Sequence, residues 1–506
     1  MKKTLLLLLL CTINSFSQNY VLDNTFGTNG AILHNEVSFY PTDALLVNNS
    51  YYFISDNNMV KLNYNGSLAT AFGNDGMITL DNNSRNFTIS GFKYINNYFY
   101  VFGTAQDREE GYEDAFICKI DENGNFDTTF GTGNFAIANF GAQEIVNDFA
   151  IDASGNLFCT GTRYDNEVSN SIRLIYFKLT ANGSLVTGFD ANGFKEIAVN
   201  SYSNGRYIKN YGNDNFMLIG TDTYFEPVTN IRHQRLLISE TDSNGNLITS
   251  FGTNGSRLAE LQTGTTITLK DAQLVNNSLF LNYFYSATVS NEGSRILKYE
   301  IDNGTVLFNT DTYYSANFKV TDTGLFITGA HRCPSAADSS CPRDFNLFKI
   351  TADGQPDNNF NNNAEYTYNF PSDVYSDDIS QALVTEDDGT ILIGGHSTGI
   401  YWDITYPSGF ALVRLKPAVM ARTGSTQNET IIYPNPFTDS VSITSQYDIN
   451  TVEILDLTGR SINRPAFYTN NGVTKVNMEG VTRQGSYILK VTAANGSVFS
   501  KVIIKE

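Results

Sequence analysis

The sequence predicts an all-β protein, a seven-bladed β-propeller followed by a small C-terminal β-sandwich. A phenylalanine-centred segment recurs seven times, and the apolar runs between its copies keep a constant order. The last 76 residues depart from this repeat and contain short alternating runs of their own. The composition agrees, because 35 Phe, 29 Tyr and 40 Gly suit short strands joined by tight turns.

The recurring segment sets the number of structural units. Its first copy reads VLDNTFGTNGAIL from Val21, and its third reads NFDTTFGTGNFAI from Asn125. The copies around Phe308 and Phe360 lack the Phe-Gly pair. The central phenylalanines, called the marker phenylalanines below, are Phe26, Phe72, Phe130, Phe189, Phe251, Phe308 and Phe360. Their spacings of 46, 58, 59, 62, 57 and 52 residues are typical of a propeller or a repeat array.

Each unit has the same internal order. In the third unit, the runs EIVNDFAIDA, NLFCTGT and IRLIYFKLT are separated by a turn and a polar loop, and a marker segment follows. Three strands and a short fourth strand after Phe-Gly-x-x-Gly form a four-stranded antiparallel blade. The glycines permit positive φ in the turn before the fourth strand, and the marker phenylalanine is expected to pack between blades.

The two ends of the repeat region predict a closed ring. The region begins with a marker and a fourth strand, Phe26 to Leu33, and it finishes with a third strand, Gly409 to Pro417. The N-terminal strand is therefore expected to complete the last blade, which hides the edges that an open array would expose. The predicted propeller spans residues 18–417.

The first marker carries a family resemblance. The pattern Leu22-Asp23-x-x-Phe26-Gly27-x-x-Gly30 resembles the delta-60 repeat, and the resemblance covers almost all of residues 20–417. It implies a propeller and implies no activity.

The N-terminus predicts export. Lys2 and Lys3 precede the apolar run from Leu5 to Leu10, and the small-x-small pattern ending at Ser17 marks a cleavage site. Residues 1–17 are therefore interpreted as a signal peptide. A lipoprotein signal ending at Cys11 is the alternative, although a leucine stands before the cysteine where a small residue is expected.

Charge and hydropathy limit the partners. Residues 18–430 carry 24 basic and 46 acidic groups, a formal charge of −22, which would repel nucleic acid. The surplus carboxylates are expected to keep a secreted protein soluble and monomeric. No later segment has the ~18 uninterrupted apolar residues of a transmembrane helix.

The tail contains three motifs in order after a predicted linker at residues 418–430. They are Tyr-Pro-Asn-Pro-Phe, VEILDLTGR and GSYILKV. Residues 431–506 resemble the C-terminal sorting domain of type IX secretion substrates in Bacteroidetes, the Por secretion system. The resemblance implies contact with that machinery, a cell-surface or extracellular location in a Gram-negative bacterium, and removal of the domain with release or anchoring. An ordinary β-sandwich is the alternative. The motif residues are Tyr433, Pro434, Asn435, Pro436, Gly459, Arg460, Gly485 and Tyr487.

The four cysteines that remain after processing fall into two pairs. Cys118 and Cys159 lie in apolar runs and are expected to be buried. Cys333 and Cys341 flank the loop CPSAADSSC, and in an oxidising compartment a disulfide there is favoured over a metal site.

No catalytic, metal or cofactor site is predicted. Gly395 to Gly399 matches Gly-x-Ser-x-Gly, but that motif needs a strand–turn–helix and here it follows a blade strand. The turns at Asp121, Asp152 and Asp242 have the chemistry of hairpins, and calcium there is a minority interpretation.

The loops between second and third strands vary most in length, and strand alternation places them all at one end of the ring. Recognition concentrates on long loops of a rigid scaffold, so we expect an exported binding or adhesion protein that recognises a glycan, polymer or protein. The alternatives are loops that merely pack their own aromatics, and a hydrolase or lyase with carboxylates such as Asp148 and Asp271 in the central channel. Those two carboxylates are better explained by polarity at strand starts. The predicted face residues are Tyr112, Tyr164, Tyr224, Tyr401, Trp402 and Tyr406.

Overall fold

The computed structural model describes residues 19–505 with internal gaps. The gaps are residues 36, 38, 166–170, 198, 201, 213, 229–230, 264, 289–290, 313, 332–342, 362, 371–374, 402–403, 406–408, 419–430, 446–447, 457–459, 471–472 and 495–497. Across the described ranges every helix or strand element is a β-strand, and no helix there could cross a membrane. The chain divides into two compact units, Met1–Ala418 and Val419–Glu506.

The strands of the first unit follow the predicted order. Two short strands come first, and antiparallel groups then follow along the chain. The first two are β1 (Tyr20–Leu22) and β2 (Ala31–His34). The next groups are β3 (Asp43–Val47), β4 (Ser50–Ser55), β5 (Asn58–Asn63), β6 (Met77–Thr79); β7 (Arg85–Ile95), β8 (Tyr98–Asp107), β9 (Glu113–Asp121), β10 (Phe135–Ala138); β11 (Gln143–Ile151), β12 (Leu157–Asp165), β13 (Ser171–Leu179), β14 (Phe194–Ile197); and β15 (Tyr202–Asn210), β16 (Phe216–Phe225), β17 (Arg232–Thr241), β18 (Ser256–Thr263).

The remaining groups of this unit are β19 (Thr266–Val275), β20 (Ser278–Thr288), β21 (Asn291–Glu300), β22 (Thr305–Thr312); β23 (Tyr314–Thr321), β24 (Gly324–His331), β25 (Asp344–Ile350), β26 (Glu365–Tyr368); and β27 (Tyr375–Thr385), β28 (Ile391–Tyr401), β29 (Ile404–Thr405), β30 (Gly409–Pro417). One parallel pair, Ile172 with Tyr202, joins β13 to β15, so two of the groups form a single eight-stranded sheet.

The last group is completed by the N-terminus. β1 and β2 both pair antiparallel with β30, and the registers place Tyr20 opposite Pro417 and Ala31 opposite Val413. The resulting sheet has the order β1-β30-β28-β27. We call this sheet the seam, because it joins the two ends of the unit, as the sequence predicts.

The first strand of each group contacts the first strand of the next. These contacts run from β3 to β7, β11, β15, β19, β23 and β27, and β27 contacts β3 again. The first strands therefore line the inside of a closed ring.

The marker phenylalanines pack against the next group, as their position predicts. Phe26 and Phe130 are fully buried. A Cβ built on Gly183 would lie 3.0 Å from the Phe130 ring, and one on Gly66 would lie 2.7 Å from the Phe26 ring. Both glycines have φ above +80°, a region that other residues rarely adopt. The Asn-Gly hairpin of one group thus leaves the space that the marker ring of the preceding group occupies.

The second unit contains two four-stranded sheets with the orders β31-β32-β36-β35 and β34-β33-β37-β38. Apolar residues of both sheets, among them Val441 and Val476 on one side and Ile454 and Leu489 on the other, belong to one buried cluster. The strands are β31 (Ile431–Tyr433), β32 (Ser440–Thr444), β33 (Ile449–Leu455), β34 (Ser461–Asn463), β35 (Phe467–Asn470), β36 (Val473–Asn477), β37 (Gly485–Ala493) and β38 (Val498–Lys505).

Candidate functional site

The loops between second and third strands lie at one end of the ring, which we call the loop end. The first strands of all groups run in the same direction along the ring axis. The connections from each fourth strand to the next group therefore also lie at the loop end. The tight hairpins fall at the opposite end. This geometry follows from the antiparallel order within each group.

The predicted face residues differ in their exposure. The Tyr112 side chain is 58% exposed, whereas Tyr164 is half-buried near the end of β12. The Tyr224 ring stacks on His233 with centroids 4.7 Å apart, and the Arg235 guanidinium lies 4.4 Å from its centroid. The half-buried Tyr224 ring therefore packs against two side chains of the neighbouring strand β17. Trp402, Tyr406 and the side chain of Tyr401 lie outside the described residues, as do Cys333 and Cys341.

Other apolar side chains are exposed at the loop end, and sequence reasoning did not single most of them out. They occur in the second-to-third loops and in the connections between groups. They are Tyr40, Val199, Phe225, Val228 and Ile231, with exposures of 40%, 41%, 44%, 93% and 43%. Exposed apolar residues also occur at the hairpin end, among them Val275 and Val306. A contiguous apolar patch is typical of an interaction surface, and of the loop-end residues Phe225, Val228 and Ile231 are the nearest to one another in sequence.

The aspartates of the hairpin turns are used by the turns themselves. The Asp121 carboxylate accepts hydrogen bonds from the backbone N–H groups of Asn123 and Asn125, each at 2.8 Å. The carboxylates of Asp152 and Asp242 do the same in their own turns. The described residues contain no group of three or more His, Cys, Asp or Glu side chains placed to hold a metal ion.

The Gly-x-Ser-x-Gly match lies inside β28, an antiparallel strand of the seam. A nucleophile elbow needs a strand–turn–helix. The strand geometry therefore supports the sequence interpretation that this match is a coincidence. Cys118 and Cys159 are both buried free thiols, as predicted.

The inside of the ring holds a polar cavity of about 600 Å³, which we call the channel cavity. Most of its lining comes from the first strands of the seven groups, and Phe102, Phe284 and Ser294 of second and third strands complete it. In six of these strands the antiparallel register slips near the middle and leaves one residue unpaired, as in a β-bulge. The unpaired residues are Ser90, Asn147, Arg206, Lys270, Ala316 and Gln381, and all six line the cavity. Bulges redirect side chains, so this repeated irregularity turns a ring of residues inward.

Asp148 anchors one side of the cavity. Its carboxylate lies 2.5 Å from Lys93 Nζ and 3.3 Å from Lys209 Nζ, and it accepts a hydrogen bond from the Ile208 backbone N–H at 3.0 Å. Burial opposes the charge, but the two lysines hold the pKa of this carboxyl below its usual value. Asp148 lies inside β11 rather than at its start, so the interpretation as strand-start polarity is wrong for this residue.

Asp43 also lines the cavity, and its pKa is shifted in the direction opposite to that of Asp148. It accepts hydrogen bonds from the Ala44 backbone N–H at 2.8 Å and from Asn317 Nδ2 at 3.3 Å. Burial raises the pKa of the Asp43 carboxyl, and the nearby negative charge of Asp271 raises it further, although Lys319 acts against them. The cavity thus contains two carboxyl groups whose environments move their pKa values in opposite directions.

Sequence reasoning found Asp148 and Asp271 but missed the cations of the cavity. Polar residues do interrupt the apolar alternation of some inner runs, as in GRYIK and TLKDAQ. Which of these residues faces inward depends on the bulge, and the sequence pattern does not show where the bulge lies.

The second unit holds the tail motifs. Tyr433 is 46% exposed, and both Xaa-Pro bonds of Tyr433-Pro434-Asn435-Pro436 are cis. The Asn435 side chain accepts a hydrogen bond from the Ile504 backbone N–H at 2.8 Å, and its Nδ2 donates to Val502 O at 3.1 Å. The first motif is therefore hydrogen-bonded to the last strand, β38.

The other motif residues serve turns of this unit. Arg460 binds Asp456 through its backbone and its guanidinium at 3.0 and 3.1 Å. The Tyr487 hydroxyl donates to Arg483 O at 2.8 Å, and Gly485 begins β37 with φ of 141°. Gly459 lies outside the described residues.

The tail matches a known family. Residues 431–505 match the family model described as secretion system C-terminal sorting domain. The chain carries a type IX sorting domain, and it is secreted to the cell surface or the extracellular space.

Solved structures give only low similarity. The endo-arabinase from Bacteroides thetaiotaomicron VPI-5482 is 13% identical, with 54% of this chain and 98% of that chain covered and a TM-score of 0.32. Sucrose-6-phosphate hydrolase from Lactobacillus gasseri is 10% identical, with coverages of 82% and 85% and a TM-score of 0.31. Drosophila Plexin A in complex with Semaphorin 1b is 7% identical, with coverages of 78% and 88% and a TM-score of 0.38. These scores are too low to carry an inference about activity. No curated protein matches the sequence.

Proposed function

We propose that this protein is an exported binding protein that recognises an extracellular glycan, polymer or protein through the loop end of a seven-bladed β-propeller. In this proposal residues 1–17 are a signal peptide, residues 18–417 form the propeller, and residues 418–430 link it to a sorting domain built as a small β-sandwich at 431–506. The groups of four strands and their closed ring of contacts support the propeller. The two C-terminal sheets with a common core support the sandwich.

The exposed apolar residues at the loop end carry the binding proposal. Exposed apolar surface is costly in water, and three such residues occur close in sequence: Phe225 at the end of β16, and Val228 and Ile231 in the loop that follows. Tyr112 adds an exposed aromatic ring on the loop between β8 and β9. Partner binding would cover these side chains and recover part of that cost.

The loop end is tested by paired variants in a glycan-array and surface-protein binding screen of the mature chain. We expect Phe225→Ala with Val228→Ser, and separately Tyr401→Ala with Trp402→Ala, to weaken binding at least fivefold with little change in melting temperature. Val275→Ser is the matched control, because Val275 is 37% exposed at the hairpin end. Binding that is lost in the control and kept in the loop variants would place the site at the wrong end.

The sorting domain is tested by the intact mass of the exported protein. Because its resemblance implies removal after translocation, we expect residues 431–506 to be missing from the extracellular form. A chain truncated after Pro417 should accumulate, folded, in the periplasm. An exported species whose mass includes Glu506 would contradict the proposal.

A hydrolase or lyase acting in the channel cavity is the second candidate, and one observation favours it. Asp43 and Asp148 have pKa values moved in opposite directions, the arrangement by which enzymes assign an acid and a base to two carboxyl groups. Cleavage of a polysaccharide panel by the mature protein, abolished in Asp43→Asn, would favour this candidate over a purely binding role.

A further inference from the structure

Two cations of the channel cavity lie on adjacent inner strands. Arg206 and Lys270 are the unpaired bulge residues of β15 and β19, which are neighbours in the ring. Among the described residues neither side chain forms an ion pair. Arg206 donates a hydrogen bond to Asn147 Oδ1 at 3.1 Å, and its guanidinium lies 5.8 Å from the centroid of the Tyr207 ring. Its buried Nε has no hydrogen-bond partner among the described residues.

The two cations are close enough to affect each other. The enclosure of the cavity lowers the pKa of the Lys270 ammonium, and the Arg206 guanidinium lowers it further. Like charges that converge in a partly desolvated space destabilise each other unless an anion lies between them. Five cationic side chains and three carboxylates line the cavity, whereas residues 18–430 as a whole carry a formal charge of −22.

The next two inner strands offer acceptors instead of donors. Asn317 on β23 is 7% exposed, and its Oδ1 has no partner, although its Nδ2 is held by Asp43. Gln381, the unpaired residue of β27, also has a buried Oε1 without a partner. Buried acceptors of this kind require a donor such as a hydroxyl group.

We propose that the channel cavity binds the carboxylate of an acidic sugar, a free uronic acid or the uronate end of a short oligosaccharide. Arg206 and Lys270 hold the carboxylate, and Asn317 and Gln381 accept hydrogen bonds from sugar hydroxyls. An arginine fork matches a carboxylate in two parallel hydrogen bonds, which suits Arg206 for this role.

Size and charge limit the ligand to a small one. A volume of about 600 Å³ falls within the range of small-molecule sites and accommodates one or two sugar rings. A long polyanion would be repelled by the acidic outer surface, whereas a single carboxylate at a chain end experiences mainly the local cations.

Equilibrium binding of D-galacturonic acid and D-glucuronic acid to the mature chain tests the proposal, with D-galactose and sodium sulfate as comparison ligands. We expect one uronate per chain, bound at least tenfold more tightly than galactose or sulfate. Arg206→Gln with Lys270→Gln should weaken uronate binding at least tenfold. Arg206→Lys with Lys270→Arg keeps both charges and should retain most of it.

Lys195→Gln is the matched control, because it removes one charge from an outer strand, where Lys195 binds the hairpin at Asn244. Unchanged binding is expected in this variant. The loop-end variant Phe225→Ala with Val228→Ser should also bind uronate normally, so the proposal is separate from the recognition face.

Three results would overturn the assignment. If neither uronate bound, water alone would satisfy these groups. If galactose bound as tightly as galacturonate, the cations would have no role in recognition. If sulfate bound as tightly as galacturonate, the hydroxyl acceptors would have none. Because Arg206→Lys with Lys270→Arg retains the charges, it separates lost binding from a lost fold, and thermal unfolding of each variant checks the fold directly.

Discussion

The seam and an ordinary sheet of the ring both contain an ion pair between the third strand and the marker segment. In the sheet β7–β10, Lys119 on the third strand lies 2.8 Å from Asp127 of the marker segment. In the seam, Arg414 on β30 lies 2.6 Å from Asp23 of the first marker segment. The backbones match as well, because Asp127 N donates to Lys119 O and Asp23 N donates to Arg414 O, each at 2.9 Å.

The difference lies in burial and in covalent connection. Lys119 and Asp127 are eight positions apart and are 14% and 12% exposed, whereas Arg414 and Asp23 are 391 positions apart and 2% exposed. Arg414 also donates to Tyr64 O at 2.6 Å and stacks on the Phe26 ring at 4.6 Å. The same lysine pair recurs in the sheet β23–β26, where Lys349 is 2% exposed and lies 3.0 Å from Asp357. The seam therefore differs from the hairpin-linked sheets in using an arginine, and in joining two strands that no hairpin connects.

The Asp23–Arg414 ion pair of the seam therefore determines the strand register more than it adds to the free energy of unfolding. Buried ion pairs often contribute little net stability, but an unpaired buried charge is costly. A slipped pairing of β1 with β30 would separate Asp23 from Arg414 inside the core. We infer that this cost selects the register in which the ring closes.

The largest effect should follow from removing the seam strands. Deletion of residues 18–33 takes away β1 and most of β2 and exposes the unpaired edge of β30. We expect aggregation or a loss of more than about 10 °C in melting temperature, since several buried side chains lose their cover. A peptide of residues 18–34 added in trans should restore part of the stability. Monomeric unfolding at the wild-type temperature would show that the ring does not depend on the seam.

Single substitutions compare the two ion pairs directly. Arg414→Ala leaves the Asp23 carboxylate buried without its main partner, and we expect a loss of about 3–5 kcal/mol in the free energy of unfolding. Lys119→Ala leaves a carboxylate that water can reach, and we expect a loss of about 1 kcal/mol. Urea denaturation of both variants measures the difference. Equal losses would mean that the seam is not a special case.

Alanine substitutions at the hairpin glycines test how tightly the marker rings pack at the seam and in another sheet. Alanine at Gly66 would meet the Phe26 ring and also the Ile32 side chain at 2.1 Å, whereas alanine at Gly183 meets the Phe130 ring and Ala136 at 3.0 Å. Both substitutions also force a non-glycine residue into positive φ. We expect losses of about 2–3 kcal/mol for Gly66→Ala and about 1–2 kcal/mol for Gly183→Ala, measured in the same denaturation experiment.

Acid should weaken the seam more than the ordinary sheet. Burial alone would raise the pKa of the Asp23 carboxyl, but hydrogen bonds from Thr25, Lys416 and Arg414 hold it well below its usual value. The bond from Lys119 lowers the pKa of Asp127 in the same direction. A lowered folded pKa stabilises the fold above pH about 4, and that stabilisation is lost as the pH falls toward the folded pKa.

Melting temperatures between pH 5 and pH 2 measure this effect. Asp23→Asn should flatten the pH dependence more than Asp127→Asn, because more donors hold Asp23. A slope that is unchanged in Asp23→Asn would mean that the seam carboxylate does not titrate over this range.

The sequence by itself determined the strand order, the marker spacing, the N-terminal completion of the last sheet and the sorting domain at residues 431–505. These features are local: alternation, turn residues and short motifs are written in consecutive positions. The face residues predicted from loop length remain predictions, and the structure shows that the half-buried Tyr224 ring packs against His233 and Arg235.

The tertiary structure alone decided which polar residues meet. Arg206 and Lys270 are 64 positions apart, and Asp23 and Arg414 are 391 apart, so no local pattern relates them. A one-residue slip in a strand reverses the direction of every side chain that follows it. The bulges therefore determine which residues enter the channel cavity, and their positions depend on pairing with neighbouring strands.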